Sequence, residues 1–594
     1  MVTGPPEVAR PGVRLLPMGE RAVLAEVADL AAVLSLHAAL AEDPPVGVDD
    51  LVPAARTVLV AFDPARVSRE VVRAWILDAA RRTPDADTSG PLVEVPVRYD
   101  GADLASTAEL LGIPVSELLS RHAGVEWTVA FSGFAPGFAY LVSAAWPYDV
   151  PRLAEPRTRV PTGAVGLAGG FSGAYPRETP GGWRLIGATD AVLFDPDATA
   201  PVLLPPRARV RFVPERPRII AASEPVVDPE PVVDPEPVVD PEPVEGSGPA
   251  STTRGATSPT SGGHSGGGGP DAAAISSRAG IPSAPVPGVG PMASASPSEV
   301  PAAAGCTDPP RPALRVVIPG AFTTVQDLGR PGLAALGVAR SGTLDRATLR
   351  AANRLVGNDE GAAGLEIAMG GFVARAEADT WVCVAGGLVD VDIDGRPAEA
   401  FAPRLVPAGA ELRIGIARAG LRVYLAVRGG IVAPAALGSA SRDVLAGLGP
   451  APVAVGDTLR VGVPAAEIPV VDAFPWSVPP SLLEVRVTAG PRADWFAADA
   501  SPTLRAATWT VSSHADRVGI RLEGPALERA RHEELPSEGM RPGAIQVPPH
   551  GRPVVLLADG PVTGGYPVIA VVTDAALDAL AQARPGDRVR FRGA

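Results

Sequence analysis

The chain of 594 residues contains no lysine, so all 52 of its basic residues are arginine. That absence excludes a phosphate-loop lysine, a Schiff-base lysine, a biotin-accepting lysine and the lysine of a Ser–Ser–Lys amidase triad. Cysteine is almost missing too. Two residues, Cys306 and Cys383, cannot make a disulfide framework. The histidines His37, His122, His264, His514, His532 and His550 show no metal-ligand spacing, which argues against a structural zinc site. No apolar run reaches membrane-spanning length; Ala22–Leu40 comes nearest but is broken by Glu26, Asp29 and His37. The first residues lack a basic region followed by an apolar core, so no signal peptide is expected and a cytoplasmic location is. A net charge of −14 argues against a general nucleic-acid or anionic-membrane binder.

What is present suffices for several cores. The length allows about three to five domains. Residues 223–312 separate two halves. Pro225–Glu242 is three identical copies of PVVDPE, followed by Ser, Gly, Pro and Ala with almost no apolar clustering. Such a segment cannot bury enough to offset its ordering entropy, so a disordered spacer without chemistry is expected.

In the first half, residues 1–100 alternate strand and helix patterns: strands at Val13–Leu16, Ala22–Val27, Thr57–Phe62 and Leu92–Tyr99, helices at Leu30–Ala41 and Glu70–Arg81. This predicts a small α+β subdomain of βαββαβ type. Two short helices follow, at Asp103–Leu111 and Pro114–His122. From Trp127 to about residue 222, short strands punctuated by Gly and Pro predict a barrel or sandwich.

The second half opens on Thr323–Asn358, TTVQDLGRPGLAALGVARSGTLDRATLRAANRLVGN. Gly329, Gly332 and Gly337 permit tight turns. Leu349, Ala352 and Leu355 recur at helical spacing, predicting a helix over Asp345–Leu355. A Gly-rich loop feeding a helix presents backbone N–H groups to an anion; a folded connection with an ordinary capped helix is the alternative. The remainder carries many short strands, among them Trp381–Ala385, Glu411–Ile416, Arg422–Val427, Leu483–Thr488 and Val554–Leu557. They predict two further β-rich barrels, over 313–470 and 471–594.

Ordered motifs carry a family resemblance. TTVQDLGR, GV-x-x-SG-x-x-D, ANRLVGN, Leu365–Glu366, Val427–Ile431 (VRGGI), Arg521–Gly524 (RLEG) and Thr563–Pro567 (TGGYP) resemble the family of the C-type 5-oxoprolinase component, also known as KipA, allophanate hydrolase subunit 2 or carboxyltransferase. In the first half, His122, Gly133–Leu141 (GFAPGFAYL), Pro156–Pro161 and Pro180–Trp183 (PGGW) resemble the family of the B-type component, also known as KipI or allophanate hydrolase subunit 1. The chain departs from the usual C-type pattern at Pro561, Val562 and Val568, at Ala440 and Arg442, and at His514–Gly519, where S-N-R-M-G is common.

The resemblance implies a β-rich α+β protein with cyclophilin-like barrels in tandem, fusing the B-type and C-type components of 5-oxoprolinase. It implies ATP-dependent opening of 5-oxo-L-proline to L-glutamate, with Mg²⁺ beside the nucleotide and a separate A-type component, a protein of the LamB/YcsF type. A homo-oligomer is also compatible. The alternatives are a biotin-dependent urea or amide carboxyltransferase component, which would need a separate biotin carrier, and a regulatory inhibitor of a sensor kinase. The expected catalytic groups are His122, Asp327 and Asp345. His122 is a general acid or base, or equally a residue capping its helix. The expected binding groups are Gly133, Pro136, Gly137, Arg157, Gly181, Gly182, Arg330, Ser341, Asn353, Glu366, Asp559, Thr563, Gly564, Gly565 and Tyr566. Carboxylates suit Mg²⁺ beside phosphates, Gly564–Gly565 lets amides approach an oxyanion, and Arg177 and Arg184 either receive an anion or lie solvated.

Overall fold

The computed structural model describes residues 12–82, 90–215, 309–470, 476–480 and 482–594. The PVVDPE repeat, Cys306 and His264 lie outside the described residues.

Strands Val13–Pro17, Ala22–Val27, Val48–Pro53 and Thr57–Phe62 build a four-stranded antiparallel sheet, with near-continuous apolar runs in Ala22–Val27 and Thr57–Phe62. Helices Leu30–Glu42 and Arg69–Ala79 pack on it through Val33, Leu36, Val72 and Ile76. Asp29 and Ser68 cap them by accepting the N–H groups of Ala32 and Val71. Strand Val48–Pro53 escaped the alternation pattern because Asp49 and Asp50 interrupt it. Leu92–Val97 also differs from expectation. It pairs in parallel with Arg209–Pro214 and so belongs to the following sheet, not to the first.

That second sheet has seven strands, and its ends meet: Arg98 and Ala188 exchange backbone hydrogen bonds of 2.9 and 2.8 Å. Its core holds Val95, Trp127, Leu141, Ile186 and Phe212.

The second half begins with two stacked sheets of seven and five strands that share one core, with Leu314, Phe372 and Ile414 from one and Leu365, Val384 and Leu425 from the other. Helix Arg346–Leu355 covers the five-stranded sheet through Ala352 and Leu355. The chain then forms a closed seven-stranded barrel between Leu482–Ala489 and Arg588–Gly593, which run parallel. The molecule is therefore β-rich with few helices.

The first-half sheet and the closed barrel are built alike. Each pairs its first strand in parallel with its last. Each buries a tryptophan whose indole N–H donates to the carbonyl five residues earlier, Trp127 to His122 and Trp509 to Leu504, both at 3.0 Å. Each carries a G-x-x-P-G turn, Gly133–Gly137 and Gly539–Gly543, and later a small-residue turn ending in Tyr-Pro, Ser172–Pro176 and Thr563–Pro567.

The two halves pack into one compact unit. Leu16, Met18 and Leu24 interlock with Met540, Leu556 and Val571. Backbone bonds cross the seam from Gly137 N to Leu336 O at 3.0 Å and from Ala55 N to Ser537 O at 3.0 Å. Arg492 reaches Glu26 at 2.6 Å, and Arg21 reaches Asp574 at 2.7 Å.

Candidate functional site

The Gly-rich loop of the second half is an anion-binding loop whose anions are the protein's own carboxylates. Asp327 accepts from Gly329 N, Ala440 N, Ser439 Oγ and Ser441 Oγ, so both of its oxygens are engaged. Asp50, from the first half, accepts from Gly332 N at 3.1 Å and Ala334 N at 3.0 Å. Burial pushes the Asp50 carboxyl up to about 6. Glu366 accepts from Leu344 N at 3.0 Å and from the Tyr424 hydroxyl at 2.9 Å.

The helix N-terminus is closed in the same way. Asp345 caps it, accepting from Thr348 N at 3.0 Å, Thr348 Oγ1 at 2.7 Å and Gln582 Nε2 at 2.8 Å, while Asp578 accepts from Arg346 N at 3.2 Å. Of the two expectations for this stretch, the structure realises the capped helix. An external phosphate would have to displace Asp345 and Asp578 from the positive end of the helix dipole.

Arg517 centres this network. Its guanidinium grips Asp559 with two bonds, Nε–Oδ2 2.9 Å and Nη2–Oδ1 3.0 Å, and also binds Glu366 and the Gly342 carbonyl. Ser341, held at a positive φ of 55°, donates to Asp559 at 2.6 Å. Burial works against the charge on Arg517, but Asp559 and Glu366 outweigh it and hold its pKa above the ordinary arginine range. Burial would raise Glu366, yet Arg517 and Arg422 hold it low. Arg330 donates to the carbonyls of Ala436 and Ser441, and Asn353 to those of Ala362 and Glu360. Asp327, Arg330, Ser341, Asp345, Asn353, Glu366 and Asp559 thus lie in one region. Their bonds run almost entirely to one another and to the backbone, a largely satisfied polar core in which Arg330 Nη1, Gln326 Oε1 and Asp443 Oδ2 are left without hydrogen-bond partners among the described residues.

His122 stands apart. It is fully buried in the first-half core, stacked on Phe212 at 4.5 Å, with Tyr99 Oη 2.8 Å from Nδ1 and Ser172 Oγ 2.7 Å from Nε2. Burial pushes its pKa down to about 3. Such an imidazole stays neutral near pH 7, is buried in this structure and has both ring nitrogens engaged by hydroxyls.

The seam brings together most of the other expected residues. Gly133 lies so close to Thr563 that a Cβ on Gly133 would sit 2.3 Å from Thr563 Oγ1. The hydroxyls of Ser132 and Thr563 are buried there without hydrogen-bond partners among the described residues. Pro136 and Gly137 complete the turn, and Gly137 has a positive φ of 73° that favours glycine. Gly564 joins a short ladder opposite Glu538, with Gly565 and Tyr566 following. Tyr566 lies under Arg529, 6.0 Å from ring centroid to guanidinium carbon.

Behind this turn Phe134, Phe138, Tyr140, Tyr175 and Trp183 form an aromatic group, with Phe138 5.0 Å from Tyr140 and Tyr175 and 5.3 Å from Trp183. Gly181 is the position that lets the Tyr175 hydroxyl approach, since a Cβ there would meet it at 2.5 Å. Beside it, Gly182 accepts from Leu153 N at 2.9 Å. Arg157 pairs with Asp103 at 2.7 Å and is thereby a strut of the first-half barrel. Arg177 and Arg184 are engaged by backbone carbonyls, of Leu445 and Pro151. A cavity of about 480 Å³ opens farther along the seam, lined by Arg14, Arg56, Arg492, Glu26, Glu534 and Glu538 among others.

Three groups escaped sequence reasoning. Arg517 was visible as the arginine of the His514–Gly519 motif, but only the fold shows its contacts to two carboxylates and a carbonyl. Tyr424 sits in an ordinary strand pattern, and its hydroxyl bridges Asp345 N and Glu366. Arg152 precedes the Pro156–Pro161 motif and had no local signal.

Comparisons with known proteins agree with this two-part build. The family model for carboxyltransferase domain, subdomain C and D, matches residues 13–204, and the model for subdomain A and B matches residues 336–593. The chain is 36% identical over 276 residues to the C-type component of 5-oxoprolinase from Haemophilus influenzae, covering 45% of this chain and 87% of that protein. It is 34% identical over 195 residues to the B-type component of 5-oxoprolinase from Bacillus subtilis, covering 30% of this chain and 81% of that protein. The crystal structure of TTHA0988 superposes with a TM-score of 0.73 at 33% identity, covering 96% of this chain and 99% of that one.

Proposed function

This chain belongs to the carboxyltransferase-domain family, and from that premise we propose that it unites the B-type and C-type components of an ATP-dependent 5-oxoprolinase. It acts in the cytoplasm with a separate A-type component and opens 5-oxo-L-proline to L-glutamate. The observation that carries the reading is that one polypeptide resembles the B-type component over its first half and the C-type component over its second, and that both halves contribute to one seam.

A lactam is a poor electrophile because its nitrogen lone pair is shared with the carbonyl. Transfer of the γ-phosphoryl group of ATP to the lactam oxygen releases ADP and leaves an O-phosphorylated imidate. Water then adds to the former carbonyl carbon. The C–N bond breaks, the nitrogen takes up a proton, and the ring opens to an acyl phosphate. A second water hydrolyses that acyl phosphate to glutamate and phosphate. The fused chain binds and activates the lactam; the A-type component directs water. The Mg²⁺ travels on the nucleotide phosphates. The aromatic group behind the Gly133–Gly137 turn offers apolar walls that suit exclusion of water until the lactam is activated.

The test is product formation by the full chain mixed with its A-type component. ADP and glutamate appear together only when both proteins, ATP and 5-oxoproline are present. ADP release stimulated by urea, with no response to 5-oxoproline, contradicts the reading.

A further inference from the structure

Arg152 is a cation with no carboxylate in direct contact, although the charge of Glu534 acts on it. It is half-buried, and among the described residues it makes no hydrogen bond or ion pair. Its backbone is pinned on both sides to the turn around Trp183. Arg184 Nε donates to Pro151 O at 2.8 Å, and Leu153 N donates to Gly182 O at 2.9 Å. The guanidinium is therefore presented from a fixed stretch of chain, not from a free loop.

Its surroundings come from both halves. Burial lowers its pKa, and Tyr140, Glu534, Tyr175 and Tyr566 act in the opposite direction. Tyr175 and Tyr566 are the equivalent residues of the two Tyr-Pro turns, one from each barrel. Leu153 bonds to Gly182, next to the Gly181 that lets the Tyr175 hydroxyl approach, so Arg152 lies beside the first of those turns. The hydroxyls of Tyr140 and Tyr566 have no hydrogen-bond partner among the described residues. Elsewhere in the core of this protein, the buried Arg517 and Arg492 are matched to carboxylates and the buried Arg330 to backbone carbonyls. A guanidinium left unmatched beside phenols and aromatic faces has the donors for a small planar anion, with a ring resting on the apolar walls.

We propose that Arg152 is a specificity residue that binds the carboxylate of the lactam substrate at the seam, with Tyr140 and Tyr566 lining the ring's place. This rests on the 5-oxoprolinase reading and adds to it a reason for selectivity. A lactam bearing a carboxylate is taken, whereas an uncharged amide leaves a half-buried guanidinium without its counter-ion.

The experiment measures turnover and calorimetric binding by the full chain with its A-type component, using 5-oxo-L-proline, the decarboxylated lactam 2-pyrrolidinone, and urea. Arg152→Gln is expected to raise KM for 5-oxoproline about 10- to 100-fold, the range for losing a hydrogen bond to a charged group. Its kcat should change by much less, and the preference for 5-oxoproline over 2-pyrrolidinone should collapse. Arg152→Lys should restore part of the preference. Circular dichroism and the melting temperature check that both variants fold. An Arg152→Gln chain with wild-type KM and wild-type preference overturns the carboxylate contact while leaving the 5-oxoprolinase reading intact. A wild-type chain that turns over urea and ignores 5-oxoproline overturns both.

Discussion

Two regions of this molecule differ in sequence and in what their polar groups touch. The Gly-rich stretch 323–358 is dense in Asp, Arg, Ser and Gly, and most of its donors are taken up within the protein by Asp50, Asp327, Asp345, Glu366 and Asp578, with Gln326 Oε1 and Arg330 Nη1 left over. The seam around 133–152 and 563–566 is dominated by Phe, Gly, Pro and Tyr. There, Arg152 and the Ser132 and Thr563 hydroxyls have no hydrogen-bond partner among the described residues. A closed network stabilises one conformation. An open one has capacity left for a ligand. Polar density alone does not mark a site; unspent hydrogen-bonding capacity does.

The comparison breaks most visibly at Asp559. Asp559→Ala leaves the buried Arg517 with Glu366 as its one remaining carboxylate contact among the described residues and should cost about 3–5 kcal/mol of unfolding free energy. The denaturant midpoint reads this directly. Arg152→Gln on the other side of the comparison should stay within about 0.5 kcal/mol of wild type. Equal losses would erase the distinction between closed and open regions.

His122 is closed in another way, by burial. Its folded pKa of about 3 lies below its ordinary 6.5, so the unfolded chain binds the proton more readily. Its contribution to stability is complete above pH 6.5 and is lost progressively as pH falls toward 3. By pH 5 the loss should be about 2 kcal/mol. His37, pushed down to about 4 by burial, adds a further loss over the same window. Unfolding curves between pH 7 and 5 should show less acid sensitivity in His122→Gln than in wild type. Unchanged acid sensitivity would mean that His122 is protonated in the folded protein.

Gly133→Ala should drive a methyl group into Thr563 and cost about 1–3 kcal/mol. Thr563→Gly in the same chain should recover most of that loss, a coupling visible in a double-mutant cycle of melting temperatures. Additive effects would mean that the two loops do not meet. Asp50→Ala removes two hydrogen bonds across the seam and should cost about 1–2 kcal/mol.

Much of the fold could be read from pattern. Strands Ala22–Val27, Thr57–Phe62 and Glu411–Ile416 stand where their apolar residues placed them, the first two buried on both faces and the third on one. Val48–Pro53 was hidden because Asp50 serves a partner more than two hundred residues away, which no local period encodes. Leu92–Val97 was legible as a strand, but its partner Arg209–Pro214 was not, since parallel pairing is a long-range choice. At the site, Asp345 was legible as a helix start, and the structure makes it a cap. His122 drew attention by residue type, and only the fold shows its burial among Trp127, Trp146 and Phe212. Arg152 was invisible because its significance is an absent partner, and a sequence does not record what a side chain fails to touch.

The most direct test of the contrast is hydrogen–deuterium exchange on the full chain with its A-type component, ATP and 5-oxoproline. Added 5-oxoproline should slow exchange at 129–141, 150–153 and 563–566 and leave the helix start at 345–349 unchanged. Slowing confined to 345–349, with the seam unaffected, would contradict the account and return the ligand to the Gly-rich loop.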